Sequence, residues 1–243
     1  MHIGPWFLHT YTLRLMVGVM AGLVWLWFAG PRRGFERQQL SALVWAVAGG
    51  ALFLGRVGYV LFSQRAYFLQ HPWDMVLLWE IGGWHGSGAL WGGIVAAWIW
   101  SRAAGRSFVP VLSLLAPSAL LVVAGAWYGC ADAGCAWGRE MLAPHPLLRW
   151  AVVEGPDLYR TVMPRYAVRI AGAIWAVATA GLAVALGKRS LWAVSLYTAG
   201  AAGLSFLRAD PVLMLGPYRC DLILNAALAL LTAGLQMRDS RFL

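Results

Sequence analysis

His85 stands in "IGGWHGSGALWGG", residues 81–93. An imidazole titrates close to neutral pH, so a histidine here can act as a general base. The glycines around it let backbone approach a ligand or a neighbouring helix. A hydrogen-bonded packing histidine is the other reading of the same residues. The stretch lacks a Gly-Lys-Ser/Thr end, so it is not a phosphate-cradling P-loop. Arg56, in "LGRVGYVLF", offers a planar fork that can hold a phosphate bidentately. Snorkelling to lipid headgroups competes with that reading, and for Arg14 it is the stronger one. Arg169 and Asp221 complete the set of ionisable groups within apolar stretches. Such groups are costly in a membrane and generally face a cavity or a partner.

Two of the three cysteines, Cys130 and Cys135, flank Asp132 in "GAWYGCADAGCAWGRE", residues 125–140. With no second cysteine pair and no histidine nearby, the C-x4-C spacing does not make a zinc site, and no metal is expected. On one continuous helix, positions five apart point roughly 140° from each other, which a disulfide cannot bridge. A break at Gly134 brings a disulfide within reach. Packing thiols remain the alternative, and Cys220 is a rival partner.

The elements that position these groups follow from composition. The chain is 60% hydrophobic and 12% charged over 243 residues. Apolar runs near the length of a bilayer crossing recur at 11–30, 40–63, 86–101, 109–131, 167–187, 191–207 and 219–237. Helices satisfy their own backbone inside lipid. These runs therefore predict an all-α polytopic membrane protein of about seven helices, one integral domain over 1–243 with a small outer cap at 132–166. The third and sixth runs are short, which implies tilt or an irregular entry. "MHIGPWFLH" lacks a basic n-region, so a cleavable signal peptide is not expected. The fifteen tryptophans suit interfacial belts.

Net charge is +9, but the basic residues sit between apolar runs, so they read as topology and anionic-lipid contact, not as a nucleic-acid surface. Arg32, Arg33, Arg37, Arg102, Arg106, Lys188, Arg189, Arg238 and Arg241 all fall on one side of the predicted bundle. The positive-inside rule places that side and the C-terminus in the cytoplasm and the N-terminus outside. The outer loop breaks the trend with Arg139, Arg149, Arg160 and Arg165, which can face lipid phosphate. Paired intramembrane acids are absent from the sequence, which disfavours a proton-coupled transporter.

Several strings together resemble one family. "IGPWFLHTY" at 3–11, with His9 and Tyr11, is similar to the N-terminal motif of the prolipoprotein diacylglyceryl transferases of the bacterial inner membrane. "GRVGYVLF" at 55–62 nearly reproduces a string of that family, and "WEIGGWHGSGALWGG" resembles its Trp-Asp-Gly-Gly…His-Gly-Gly segment. "WGR" at 137–139 matches the end of its signature loop, and "AVSLYTAGAAGLSFLR" at 193–208 resembles its sixth helix, with Tyr197 on a tyrosine the family uses. The resemblance implies a seven-helix bundle that moves a diacylglyceryl group from phosphatidylglycerol to a cysteine thiol of a lipoprotein precursor, without a cofactor. His85, Tyr11 and Tyr197 would then be catalytic. Arg56, Arg139, Arg169 and Arg208 would be left to hold the lipid phosphate.

Departures cluster where the chemistry should be. Trp127 replaces the signature arginine, Cys130 and Ala133 replace its two asparagines, and Cys135 replaces its glutamate. Ala201 stands where the sixth helix should carry a second arginine, and the family's Pro-Ser-Gln-Leu-Tyr-Glu reads "AVRIAG" at 167–172. An ungapped register sets Ser87 in the histidine slot, and one shifted gap returns His85 to it. Two functions follow. One is a divergent transferase acting on phosphatidylglycerol and a lipoprotein precursor. The other is a catalytically degenerate member of the same fold, binding lipid or serving as a subunit of a larger membrane complex.

Overall fold

A computed structural model describes residues 2–3, 6–7, 10–77, 83–141, 151–156 and 161–239. Seven long helices occupy the seven apolar runs: α1 (Thr10–Arg32), α2 (Arg37–Gly58), α4 (Gly86–Ala103), α5 (Phe108–Ala133), α6 (Val168–Leu186), α7 (Leu191–Ser205) and α8 (Cys220–Asp239). Five of these, with α2 prolonged to Ser63, are long and apolar enough to cross a membrane. The other two, α4 and α7, have 18 and 15 residues and coincide with the short third and sixth runs. At 1.5 Å per residue they reach about 27 and about 22 Å, less than the roughly 30 Å of hydrocarbon.

Local chemistry sets the helix ends. Helix α2 starts at a capping box, with the Glu36 N–H donating to Gln39 Oε1 at 3.4 Å. Helix α5 stops because Gly134 takes a left-handed conformation, φ 65°. Beyond Gly58 the chain widens into a π turn, Tyr59–Ser63, followed by the short α3 (Arg65–Gln70). The Phe62 carbonyl in that turn accepts the Leu213 N–H at 2.6 Å, tying it to the segment before α8.

Small residues let the helices close. Helix α2 meets α4 where Gly50 and Gly92 face each other, and a Cβ on Gly50 would lie 2.6 Å from the Gly92 carbonyl oxygen. This is the close small-residue packing that membrane helices use in place of a hydrophobic driving force. One core joins Leu26, Leu43, Ala97, Leu114 and Leu191; a second, between α5, α6 and α7, holds Leu120, Ala176, Ala180 and Tyr197. Large apolar side chains such as Trp45 and Leu230, each 76% exposed, cover the outside, as a lipid-facing surface requires.

The two ends of the bundle differ. At one, arginines lace the connections: Arg33 donates to the Gly187 carbonyl, Arg106 to the Gly34 carbonyl and Gln39, and Arg37 stacks on Trp27. The other end carries three antiparallel hairpins. These are β1 (His2–Ile3) with β2 (Trp6–Phe7), β3 (Val152–Pro156) with β4 (Val162–Tyr166), and β5 (Met214–Leu215) with β6 (Tyr218–Arg219). His9, Arg149 and Arg160 lie outside the described residues.

Candidate functional site

The hairpin end gathers most of the chemistry. "WGR" runs between two other segments: the Arg139 N–H donates to the Leu207 carbonyl at 2.8 Å, and the Tyr166 N–H donates to the Arg139 carbonyl at 3.1 Å. Gly138 pairs with Arg208 and sits so close to the Tyr166 backbone that a side chain there would collide. This stitching fixes Arg208 at the end of α7, above α5.

Arg208 lies in a cluster of four charges. Its Nε and Nη2 donate to the Asp210 carboxylate at 2.8 and 2.5 Å, and its Nη1 meets Asp221 Oδ2 at 2.9 Å. Arg219 closes the ring. Its Nε donates to Asp221 Oδ1 at 3.2 Å, its Nη1 to the Asp210 carbonyl at 2.9 Å, and its Nη2 reaches both carboxylates at 3.4 Å. Asp210 and Arg219 were not among the residues singled out in the sequence. The available signal was the repeated Arg-x-Asp spacing, "RAD" at 208–210 and "RCD" at 219–221.

Beneath this cluster stands Trp127, with the Arg208 guanidinium 5.7 Å from its ring centre. The indole Nε1 donates to Tyr197 Oη at 2.9 Å. Gly172, on α6, makes the room: a Cβ there would lie 2.5 Å from the indole. Trp127 and Gly172, both at departures read in the sequence, therefore pack as a size-matched pair. Ala201, one turn beyond Tyr197, is buried beside it.

His85 caps α4. Its Nδ1 accepts the Gly88 N–H at 3.2 Å, its own N–H donates to the Gly55 carbonyl at 2.9 Å, and Phe62 meets the ring edge-on. Gly58 gives it close access, since a Cβ there would lie 3.1 Å from the His85 Cβ. The charges acting on it are those of Asp221, Arg208, Asp210 and Arg219. An accepting Nδ1 leaves the proton of a neutral ring on Nε2, so in this geometry the outer nitrogen is a donor and not a base. Ser87 is also buried, within the first turn of the same helix.

Other expected site residues lie apart from this group or are engaged elsewhere. Arg56 donates to the carbonyls of Met75, Gly83 and Asp74 at 3.1, 3.3 and 2.8 Å. These bonds tie the Arg56 fork to the backbone at Asp74, Met75 and Gly83. Beside it the Tyr67 hydroxyl donates to Asp74 at 2.6 Å, and that hydrogen bond raises the phenol above its ordinary value. Arg169 donates to the Cys135 and Ala131 carbonyls at 2.8 and 3.3 Å, at the end of α5. Arg165 is paired with Glu140 at 2.8 Å, whereas Arg139 is exposed. Tyr11 packs on Gly129 at the α1–α5 seam. Arg14 stacks on exposed Tyr128 and donates to its carbonyl at 3.1 Å. Among the described residues no cluster could hold a metal ion.

Cys130 and Cys135 form a disulfide, and Cys220 is a buried thiol. The left-handed turn at Gly134 brings the two Cα atoms to 4.9 Å, which a straight helix would not. The cross-link therefore locks the loop that leads into "WGR". Cys130→Ser with Cys135→Ser is expected to destabilise the protein by about 2 kcal/mol, the chain-entropy value for so short a loop. Thermal unfolding with and without reductant measures it: wild type shifts with reductant and the double variant does not.

Comparison with known proteins gives a consistent result. The family model described as prolipoprotein diacylglyceryl transferase matches residues 1–238. A protein of Legionella pneumophila (strain Lens) named phosphatidylglycerol--prolipoprotein diacylglyceryl transferase is 35% identical over 151 residues, 59% of this chain and 59% of that protein. A protein of the same name from Methylibium petroleiphilum is 32% identical over 183 residues, covering 71% of this chain and 67% of its own length. The match thus spans about 59% of the length of the Legionella relative.

Proposed function

The chain belongs to the prolipoprotein diacylglyceryl transferase family, and from that premise we propose that it holds a diacyl phospholipid in the membrane while the family's transfer step is closed at this site. The observation that carries this reading is Trp127, whose indole lies over Gly172 and donates to Tyr197 Oη. Transfer from a phospholipid to a thiol needs cations on the departing phosphate and a base for the thiol. An indole has a single donor, and Tyr197 takes it. Arg208 is shared between two carboxylates, and His85 spends Nδ1 on the helix cap. The fold that encloses lipid is kept, and the groups that would act on the phosphate are replaced or neutralised.

A second reading, active transfer with His85 as base, is favoured by one observation: His85 is a buried imidazole held at the start of α4 between Gly58 and Phe62. It needs the Gly88 cap to release. Complementation separates the two. In bacteria depleted of their own transferase, the expected result is no lipidation of a reporter lipoprotein by this chain. Lipidation that disappears with His85→Ala would establish the second reading.

The same proposal sets the protein in the bacterial inner membrane, hairpin end outward and both the 33–37 and 104–107 connections in the cytoplasm. The arginine-laced end supports this orientation. A reporter fused at residue 104 is expected to read cytoplasmic; an external signal would reverse the topology.

A further inference from the structure

Cations at the arginine-laced end keep their charge. At the hairpin end Arg165, Arg208 and Arg219 each meet a carboxylate. At the opposite end Arg33 and Arg106 donate to backbone carbonyls and the Gln39 side chain, neutral acceptors that hold a guanidinium without cancelling it. We propose that this end carries a lipid site of its own, in which Arg37, seated on Trp27, takes the phosphate of an anionic phospholipid. The site lies at the far end of the bundle from Trp127 and Tyr197 and does not rest on the function proposed above.

Arg33 ties the connection after α1 to the one after α6. Together these connections bring five cationic side chains, Arg32, Arg33, Arg37, Lys188 and Arg189, against one carboxylate. That carboxylate, Glu36, is drawn into the α2 capping box. Among the described residues none of the five cations is ion-paired. The counterion therefore has to come from outside the chain, and Arg37 is placed to receive it. Its Cζ lies 3.6 Å from the centre of the Trp27 ring. Stacking uses the face of a guanidinium and leaves the N–H edge, which matches two oxygens of a phosphate. Among the described residues that edge has no acceptor. The surface beside it selects a lipid over a soluble anion. Trp27 and Phe28, 56 and 57% exposed in the last two turns of α1, offer acyl chains an apolar face. A headgroup with net negative charge completes the charge balance, whereas a zwitterionic one arrives with its own ammonium.

The test titrates the whole protein in detergent with phosphatidylglycerol or with phosphatidylcholine, and bound lipids are counted by native mass spectrometry. Any lipid held at the hairpin end is common to all variants, so differences between variants report this site. Wild type is expected to bind phosphatidylglycerol in excess. Arg37→Gln should weaken that binding by about fivefold, the contribution of one cation near a lipid surface, and leave phosphatidylcholine unchanged. Trp27→Leu keeps every charge but removes the platform, so it should weaken phosphatidylglycerol as well. A folded Arg37→Gln that binds as wild type does overturns the proposal. Loss in Arg37→Gln without loss in Trp27→Leu reduces the site to diffuse surface charge, and displacement of the lipid by inorganic phosphate reassigns it to a soluble anion; either result overturns the proposal too.

Discussion

Arg208→Ala is expected to lower the unfolding free energy by about 3–5 kcal/mol, the cost of stripping one partner from a buried ion network. Three nitrogens of Arg208 contact Asp210 and Asp221, and Arg219 alone would then face both carboxylates. The charge left over is negative and mostly shielded from water. The double variant Arg208→Ala with Asp210→Ala returns the cluster to one of each sign, so much of the loss should be recovered. Thermal and denaturant unfolding of the purified protein in detergent reads both. A single-variant cost below about 1 kcal/mol, the range of an exposed pair, would show that the network is solvated and contributes little.

The second large effect is at Trp127. Truncation to alanine should cost about 3 kcal/mol, the low end for a tryptophan because this indole is only half-buried. It also leaves Tyr197 Oη without the 2.9 Å donor. Gly172→Ala alone should cost about 1–3 kcal/mol, since the new methyl would press on the indole 2.5 Å away. Combined with Trp127→Ala, the same methyl should enter empty space and cost almost nothing. That non-additivity is the signature of a size-matched pair; simple addition of the two effects would mean that the residues are not coupled.

Much of the fold was legible because lipid imposes a simple rule. Among the described residues the long helices fall where apolar runs were read, including the short pair at α4 and α7, and five of them are long and apolar enough to cross a membrane. The glycines read in the 81–93 stretch, Gly88 and Gly92 among them, sit at close helix contacts. The π turn at Tyr59–Ser63 and the short hairpins were not legible, because they depend on contacts such as Phe62 with Leu213 that lie far apart in sequence. At the site, Arg208 and Asp221, both singled out in the sequence, are ion-paired with each other, and Tyr197 accepts the Trp127 indole N–H. The carbonyl partners of Arg56 and Arg169 were not legible, because a backbone acceptor leaves no mark in residue type or spacing. Asp210 and Arg219 escaped because a short polar connection gives no periodic signal.

The central claim is that the lipid-holding scaffold is retained while transfer is closed. Its most direct measurement is a transfer assay with the purified protein in vesicles. These contain phosphatidylglycerol labelled in the diacylglyceryl group and a cysteine peptide of the lipoprotein type. The account predicts labelled peptide at the level of protein-free vesicles, unchanged by His85→Ala, under conditions in which the Legionella pneumophila relative labels the peptide. Labelling above background that falls by about 10²–10⁴-fold in His85→Ala, the contribution of a general base, would contradict it.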